Sequence, residues 1–127
     1  MEIIEYFSDS RKEHWLSRIA DAKWLPASFL CQLLSNSESF ERNLGAGGKV
    51  FLLTDGDELI SFAALTHQDS IKDESLYPWI GYVFTFPQYR GNRYSQQLIS
   101  RMEEQAKQDG HSHVYIATKH VGLYEKF

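Results

Sequence analysis

The sequence predicts an α+β fold built on a mixed sheet, and three observations carry that reading. Two apolar runs at residues 50–53 and 59–65 flank Asp55-Gly56-Asp57. Asp-Gly tolerates the positive φ of a tight turn, so this pair reads as an antiparallel hairpin. Two further apolar runs, residues 79–86 and 113–117, are separated by Leu98, Ile99, Met102 and Ala106 at helical spacing. A strand, helix, strand succession is thus added to the hairpin. Lastly, two helical patterns precede the hairpin rather than alternating with it.

The elements follow in order. Residues 3–7, Ile-Ile-Glu-Tyr-Phe, read as a first strand. Ser10 and Glu13 are spaced as a capping box, and Trp15, Ile19 and Ala22 continue at helical period. Pro26 suits the first turn of a second helix with Phe29, Leu30, Leu33 and Leu34 on one side. Residues 35–49 are polar and rich in Gly, and are expected to form a partly mobile loop. The hairpin comes next, then a charged loop over 68–76 and a strand over 79–86. A helix over 95–108 ends at Gly110. After the strand at 113–117, residues 121–127 are expected to begin one more helix. There is no repeat, low-complexity tract or linker, and 127 residues support one domain over 1–127.

Composition narrows the function. The hydrophobic share of 43% and charged share of 24% are those of a soluble globular protein. An aromatic share of 14% is high and reads as a well-filled core, with a minority of rings left to line a pocket. A net charge of −4 argues against a nucleic-acid partner, since phosphate backbones are bound by clustered Lys and Arg. Cys31 is the only cysteine and lies in an apolar helical stretch, so it reads as an inert thiol and excludes an internal disulfide. No apolar run approaches the ~20 residues of a membrane span. The acidic start is not a signal peptide, and a cytoplasmic location is expected. His111 and His113 lack a ligand companion at metal spacing, so no metal is expected.

Chemistry concentrates at residues 83–96. Val83, Phe84 and Thr85 end a strand, and Pro87 follows. Arg90, Gly91, Asn92 and Arg93 form a polar loop, and Tyr94, Ser95 and Gln96 enter the helix. The first turn of a helix carries unpaired N–H groups and positive dipole potential. Two arginines beside it add guanidinium forks that suit phosphate. The segment reads as a phosphate or pyrophosphate site.

This segment resembles the acetyl-CoA loop of the GNAT superfamily of N-acetyltransferases, whose pattern is R/Q-x-x-G-x-G/A. Arg90 matches, Arg93 stands at the Gly position, and Ser95 stands at the Gly/Ala position. The end of the chain, Leu123-Tyr124-Glu125-Lys126-Phe127, is similar to that family's Leu-Tyr-x-Lys-x-Gly-Phe segment. The chain stops before the Gly-Phe and before the last two strands of the usual fold. The resemblance therefore implies a C-terminally shortened GNAT-like acyl-CoA N-acyltransferase fold.

It also implies roles. Residues Arg90, Gly91, Asn92, Arg93, Tyr94, Ser95 and Gln96 would hold the CoA pyrophosphate, and the backbone of Val83, Phe84 and Thr85 the pantetheine arm. Tyr124 would protonate the departing thiolate. No Asp, Glu or His lies within residues 79–86, so the general base is not visible there. His67 leads the candidates because its intrinsic pKa near ~6.5 suits the task, and His120 is second. Tyr77 and Trp79, with Trp24, are expected to border the acceptor.

The implied reaction moves an acetyl group from acetyl-CoA, as co-substrate, to a small-molecule or peptide primary amine by direct attack on the thioester. The alternatives are a truncated, non-catalytic CoA-binding or subunit-type homologue, and a nucleotide-binding regulatory module. An early end to the sheet would leave the strand at 113–117 without one neighbour, so a homodimer is expected.

Overall fold

A computed structural model describes the chain except for Ala46, residues 68–76 and 117–122, and Phe127. The described strands form one sheet in sequence order: β1 (Glu2–Glu5), β2 (Lys49–Asp55), β3 (Glu58–Thr66), β4 (Trp79–Thr85), β5 (His113–Ile116) and β6 (Leu123–Lys126). Every neighbouring pair is antiparallel except β4 and β5, which are parallel and joined through a helix.

Three helices cover one face: α1 (Lys12–Ala20), α2 (Leu25–Leu34) and α3 (Ser37–Leu44). They bury Trp15, Ile19, Leu30 and Phe40 with Val50, Leu52 and Phe62 of the sheet. The other face carries α4 (Tyr94–Gln108), whose Leu98, Met102 and Ala106 pack on Phe51, Ile60, Ala63 and Ile80. Burying each large apolar side chain contributes about 1.5–3 kcal/mol before chain entropy is subtracted, so both layers are needed.

Several elements differ from expectation. β1 ends at Glu5 because Tyr6–Ser8 turn as a 3-10 helix, whose Phe7 N–H donates to the Glu5 carboxylate at 2.9 Å. The Ser10/Glu13 capping box does not cap α1. Arg11 is the N-cap residue and no side chain caps the helix; Asp9 instead ties the entry to it, accepting from Arg11 N–H at 2.8 Å and from Trp15 Nε1–H at 3.0 Å. Phe29 lies off the buried side of α2 and is 45% exposed. Residues 35–49 hold α3, capped by Asn36 Oδ1 accepting from Glu38 N–H at 3.0 Å and stopped at Gly45, with φ +87°. Phe40 and Leu44, spaced by four, bury the inner side of this otherwise polar helix.

The C-terminal helix is also corrected: Leu123–Lys126 is a strand antiparallel to β5. Pairing along β5 satisfies the backbone groups of these residues directly. β5 therefore has neighbours on both sides, which removes the reason given for pairing with a second copy.

Cys31 is half-buried, its thiol directed to the Leu16 carbonyl oxygen at 3.7 Å, and burial pushes its pKa up. The thiol is the less reactive form. Alkylation by iodoacetamide, followed by mass spectrometry at neutral pH, is expected to be slow in the folded protein and fast after denaturation.

Candidate functional site

A bulge in β4 sets the geometry. Between the pairs Phe62↔Phe84 and Ala64↔Gly81, two steps along β3 match three along β4. Tyr82 takes up the extra residue with φ +54°. The bulge reverses the alternation of the strand. Ile80 and Val83 face α4, whereas Tyr82, Phe84 and Phe86 pack with the α1–α3 layer. Among the described residues β4 and β5 pair at Trp79↔Tyr115 and Ile80↔Ile116, at the start of β4.

Past Thr85 the chain makes a 3-10 turn, Pro87–Tyr89, and enters α4 through Gly91 at φ +89° and Arg93 at φ +59°. Arg93 is the N-cap residue, and no side chain caps α4. Gln96 N–H donates to the Arg93 carbonyl oxygen at 3.2 Å. The N–H groups of Gly91, Asn92, Arg93, Tyr94 and Ser95 have no acceptor among the described residues. Asn92 Nδ2 donates to the Tyr89 carbonyl oxygen at 3.1 Å and braces the loop. The sequence-predicted loop is thus assembled, with its donors available to an anion.

Arg90 takes a different direction from those N–H groups. Its Nε–H donates to the Thr85 carbonyl oxygen at 2.9 Å, and its guanidinium lies over the Phe84 ring at 5.3 Å. There it joins the wall of a cleft of about 700 Å³ between the α1–α2 turn and the end of β4. Trp24 stacks on Phe84 at 5.3 Å, and Phe86 meets Phe84 edge-on at 5.3 Å. Arg18, Asp21, Lys23 and Glu58 supply the polar rim. The Tyr89 hydroxyl donates to the Glu58 carboxylate, and that bond is the main cause of the raised pKa of Tyr89. Ser61 Oγ–H donates to the Phe84 carbonyl oxygen at 2.7 Å, fixing the strand end behind the cleft.

The other sequence candidates lie elsewhere. His67 follows the far end of β3 and stacks on Tyr77 at 4.4 Å. Its strand begins at Glu58, beside the cleft, and spans nine residues, which puts the ends roughly 26 Å apart. The structure does not bring His67 to the loop. Trp79 is core, 1% exposed, so only Trp24 of the three expected acceptor-side rings lines the cleft. Tyr124 lies opposite Tyr115 in the β5–β6 pairing, and its side chain is outside the described residues, as is His120.

Glu58, Lys23 and Arg18 escaped the sequence reading. The hairpin signal places Glu58 at a strand start, but only the β3–β4 register, with Ser61 opposite Thr85, carries that start alongside the turn at residues 87–89. Among the described residues there is no group of three or more His, Cys, Asp or Glu that could hold a metal ion. No helix among them is long and apolar enough to cross a membrane.

A mixed sheet with a bulged β4, a parallel ladder to β5 at the start of that strand, and a donor-rich loop entering α4 together define an acyl-CoA N-acyltransferase fold. The chain belongs to the GNAT acetyltransferase family: the sequence model described as "Acetyltransferase (GNAT) family" matches residues 5–127. No curated protein matches the chain.

Solved structures share the fold. An aminoglycoside 6'-N-acetyltransferase complexed with coenzyme A superposes with a TM-score of 0.68 at 17% identity, over 93% of this chain and 62% of that one. The chain thus spans less than two thirds of that relative. A GNAT-family acetyltransferase from Staphylococcus aureus Mu50 gives 0.63 at 19% identity, over 92% and 73% of the two chains. A predicted acetyltransferase with acetyl-CoA from Clostridium acetobutylicum gives 0.60 at 15% identity, over 92% and 80%.

Proposed function

We propose that this chain is an N-acetyltransferase that uses acetyl-CoA as co-substrate and acetylates a primary amine. The observation that carries the reading is the run of acceptor-free N–H groups from Gly91 to Ser95 at the uncapped start of α4. Two phosphates suit such donors, because the helix dipole and the charge of Arg93 act in the same direction. Arg90 spends its Nε on Thr85, which leaves its terminal nitrogens for a phosphate oxygen at the loop's edge. The backbone of Val83, Phe84 and Thr85 borders the pantetheine arm. Family membership and the ligands bound by the fold relatives, coenzyme A and acetyl-CoA, support the same assignment.

Bound acetyl-CoA supplies the activated acyl group. The protein orients the amine, accepts its proton and holds the arm. The amine nitrogen bonds to the acetyl carbon as the C–S bond breaks. One proton leaves the nitrogen and one reaches sulfur, giving an amide and a thiol. Tyr124 is assigned as the donor to sulfur. Tyr124→Phe is expected to lower turnover at least tenfold with acetyl-CoA affinity within twofold, measured by steady-state kinetics alongside calorimetry. Unchanged turnover would reassign Tyr124 to packing.

Calorimetric titration with acetyl-CoA tests the whole reading, with one equivalent bound as the expected result. Arg93→Asn keeps a residue that tolerates the left-handed conformation and removes only the charge. It is expected to weaken binding by about 1.5–3 kcal/mol. Absence of binding by the unaltered chain would overturn the assignment.

A further inference from the structure

We propose that the cleft between the α1–α2 turn and the end of β4 takes an amine that also carries a carboxylate and a flat apolar ring, as an aromatic amino acid does. This rests on the acetyl-transfer reading and names the substrate class for it.

The apolar part follows from the wall. Trp24 and Phe84 are stacked, with rings inclined by 24°, and Phe62 supports Phe84 from behind at 5.5 Å. Phe84 is covered by these neighbours and by Arg90, so the ring left for a ligand on this wall is Trp24, which is half-buried, held by the stack and loses little entropy on contact.

The charge follows from what is already engaged. Glu58 accepts from the Tyr89 hydroxyl, and Asp21 stands 3.7 Å from the Arg18 guanidinium in a loose, exposed pair. Lys23 has no carboxylate partner among the described residues. It sits at φ +52° in the turn, immediately before Trp24. The cationic side of the rim is thus the less satisfied one. A carboxylate suits it better than a phosphate dianion, because Asp21 and Glu58 share the same rim and repel extra negative charge. The ammonium end is then directed to the Glu58 carboxylate, which has lone pairs beyond the one that accepts from Tyr89, on the side of the cleft bordered by Pro87 and Gln88. Polycationic amines gain nothing from Lys23 and Arg18, so kanamycin is a suitable negative probe.

The test is calorimetric binding to the purified chain without acetyl-CoA, using L-phenylalanine, phenethylamine, L-alanine and kanamycin. L-phenylalanine is expected to bind at least tenfold tighter than phenethylamine, which lacks the carboxylate, and than L-alanine, which lacks the ring. Kanamycin is expected to bind more weakly still. The surface double variant Arg18→Gln/Lys23→Gln should bring L-phenylalanine down to the level of phenethylamine. Trp24→Leu should weaken both ring-bearing probes by a similar factor. Phenethylamine or kanamycin binding as tightly as L-phenylalanine would overturn the proposal. So would a preference that survives in the double variant, or no binding by any probe. A parallel titration with acetyl-CoA separates the two readings. Acetyl-CoA binding without the L-phenylalanine preference defeats the cleft alone. The preference without acetyl-CoA binding defeats the transfer assignment alone.

Discussion

Ser95→Glu is expected to reduce acetyl-CoA affinity at least about a hundredfold, since opposed like charges cost several kcal/mol and each ~1.4 kcal/mol is tenfold. The carboxylate would stand in the first turn of α4, where the proposed pyrophosphate meets the Ser95 N–H. The same charge favours the helix itself, because an acid near an uncapped N-terminus contributes about 0.3–1 kcal/mol. Thermal unfolding should therefore show an unchanged or slightly raised midpoint while calorimetry shows binding lost. A merely misfolded variant would lower both. Retained affinity would show that the ligand does not use this turn.

Phe62→Ala is expected to lower unfolding free energy by about 3–5 kcal/mol, the usual range for emptying an aromatic site in a core. Phe62 is fully buried, and it backs Phe84 and Phe86 at 5.5 and 6.3 Å. A loss of that size is a large part of the ~5–15 kcal/mol typical of a domain. Urea denaturation measures it. A change below about 1 kcal/mol would mean that the layer collapses around the gap at little cost.

Local signals were legible wherever chemistry and period agreed. Asp55-Gly56-Asp57 located the hairpin, and its strands were extended by the structure only by one or two residues at an end. The spacing of Leu98, Met102 and Ala106 gave both the extent and the buried side of α4. The polar loop at residues 90–95 was visible because Arg, Gly and Ser meet a helix start there. What stayed hidden depends on partners distant in sequence. α3 looks polar because only Phe40 and Leu44 turn inward. Residues 121–127 read as the start of a helix, whereas β5 offers residues 123–126 an edge. The cleft joins residue 18 to residue 90 through strand register, which no local window contains. The intrinsic pKa of imidazole, which singles out His67 in the sequence, carries no information about position.

Odd and even numbering changes meaning within β4. Below Tyr82 the even-numbered Ile80 looks toward α4; above it that direction belongs to the odd-numbered Val83. Were β4 to pair with β3 in plain alternation at unchanged length, with no bulge at Tyr82, every side chain from 83 to 86 would turn to the opposite side. That would exchange the Phe84 and Phe86 wall for Val83 and Thr85. The strand thus has a frame, as a coding sequence does, and the one extra residue at Tyr82 sets it.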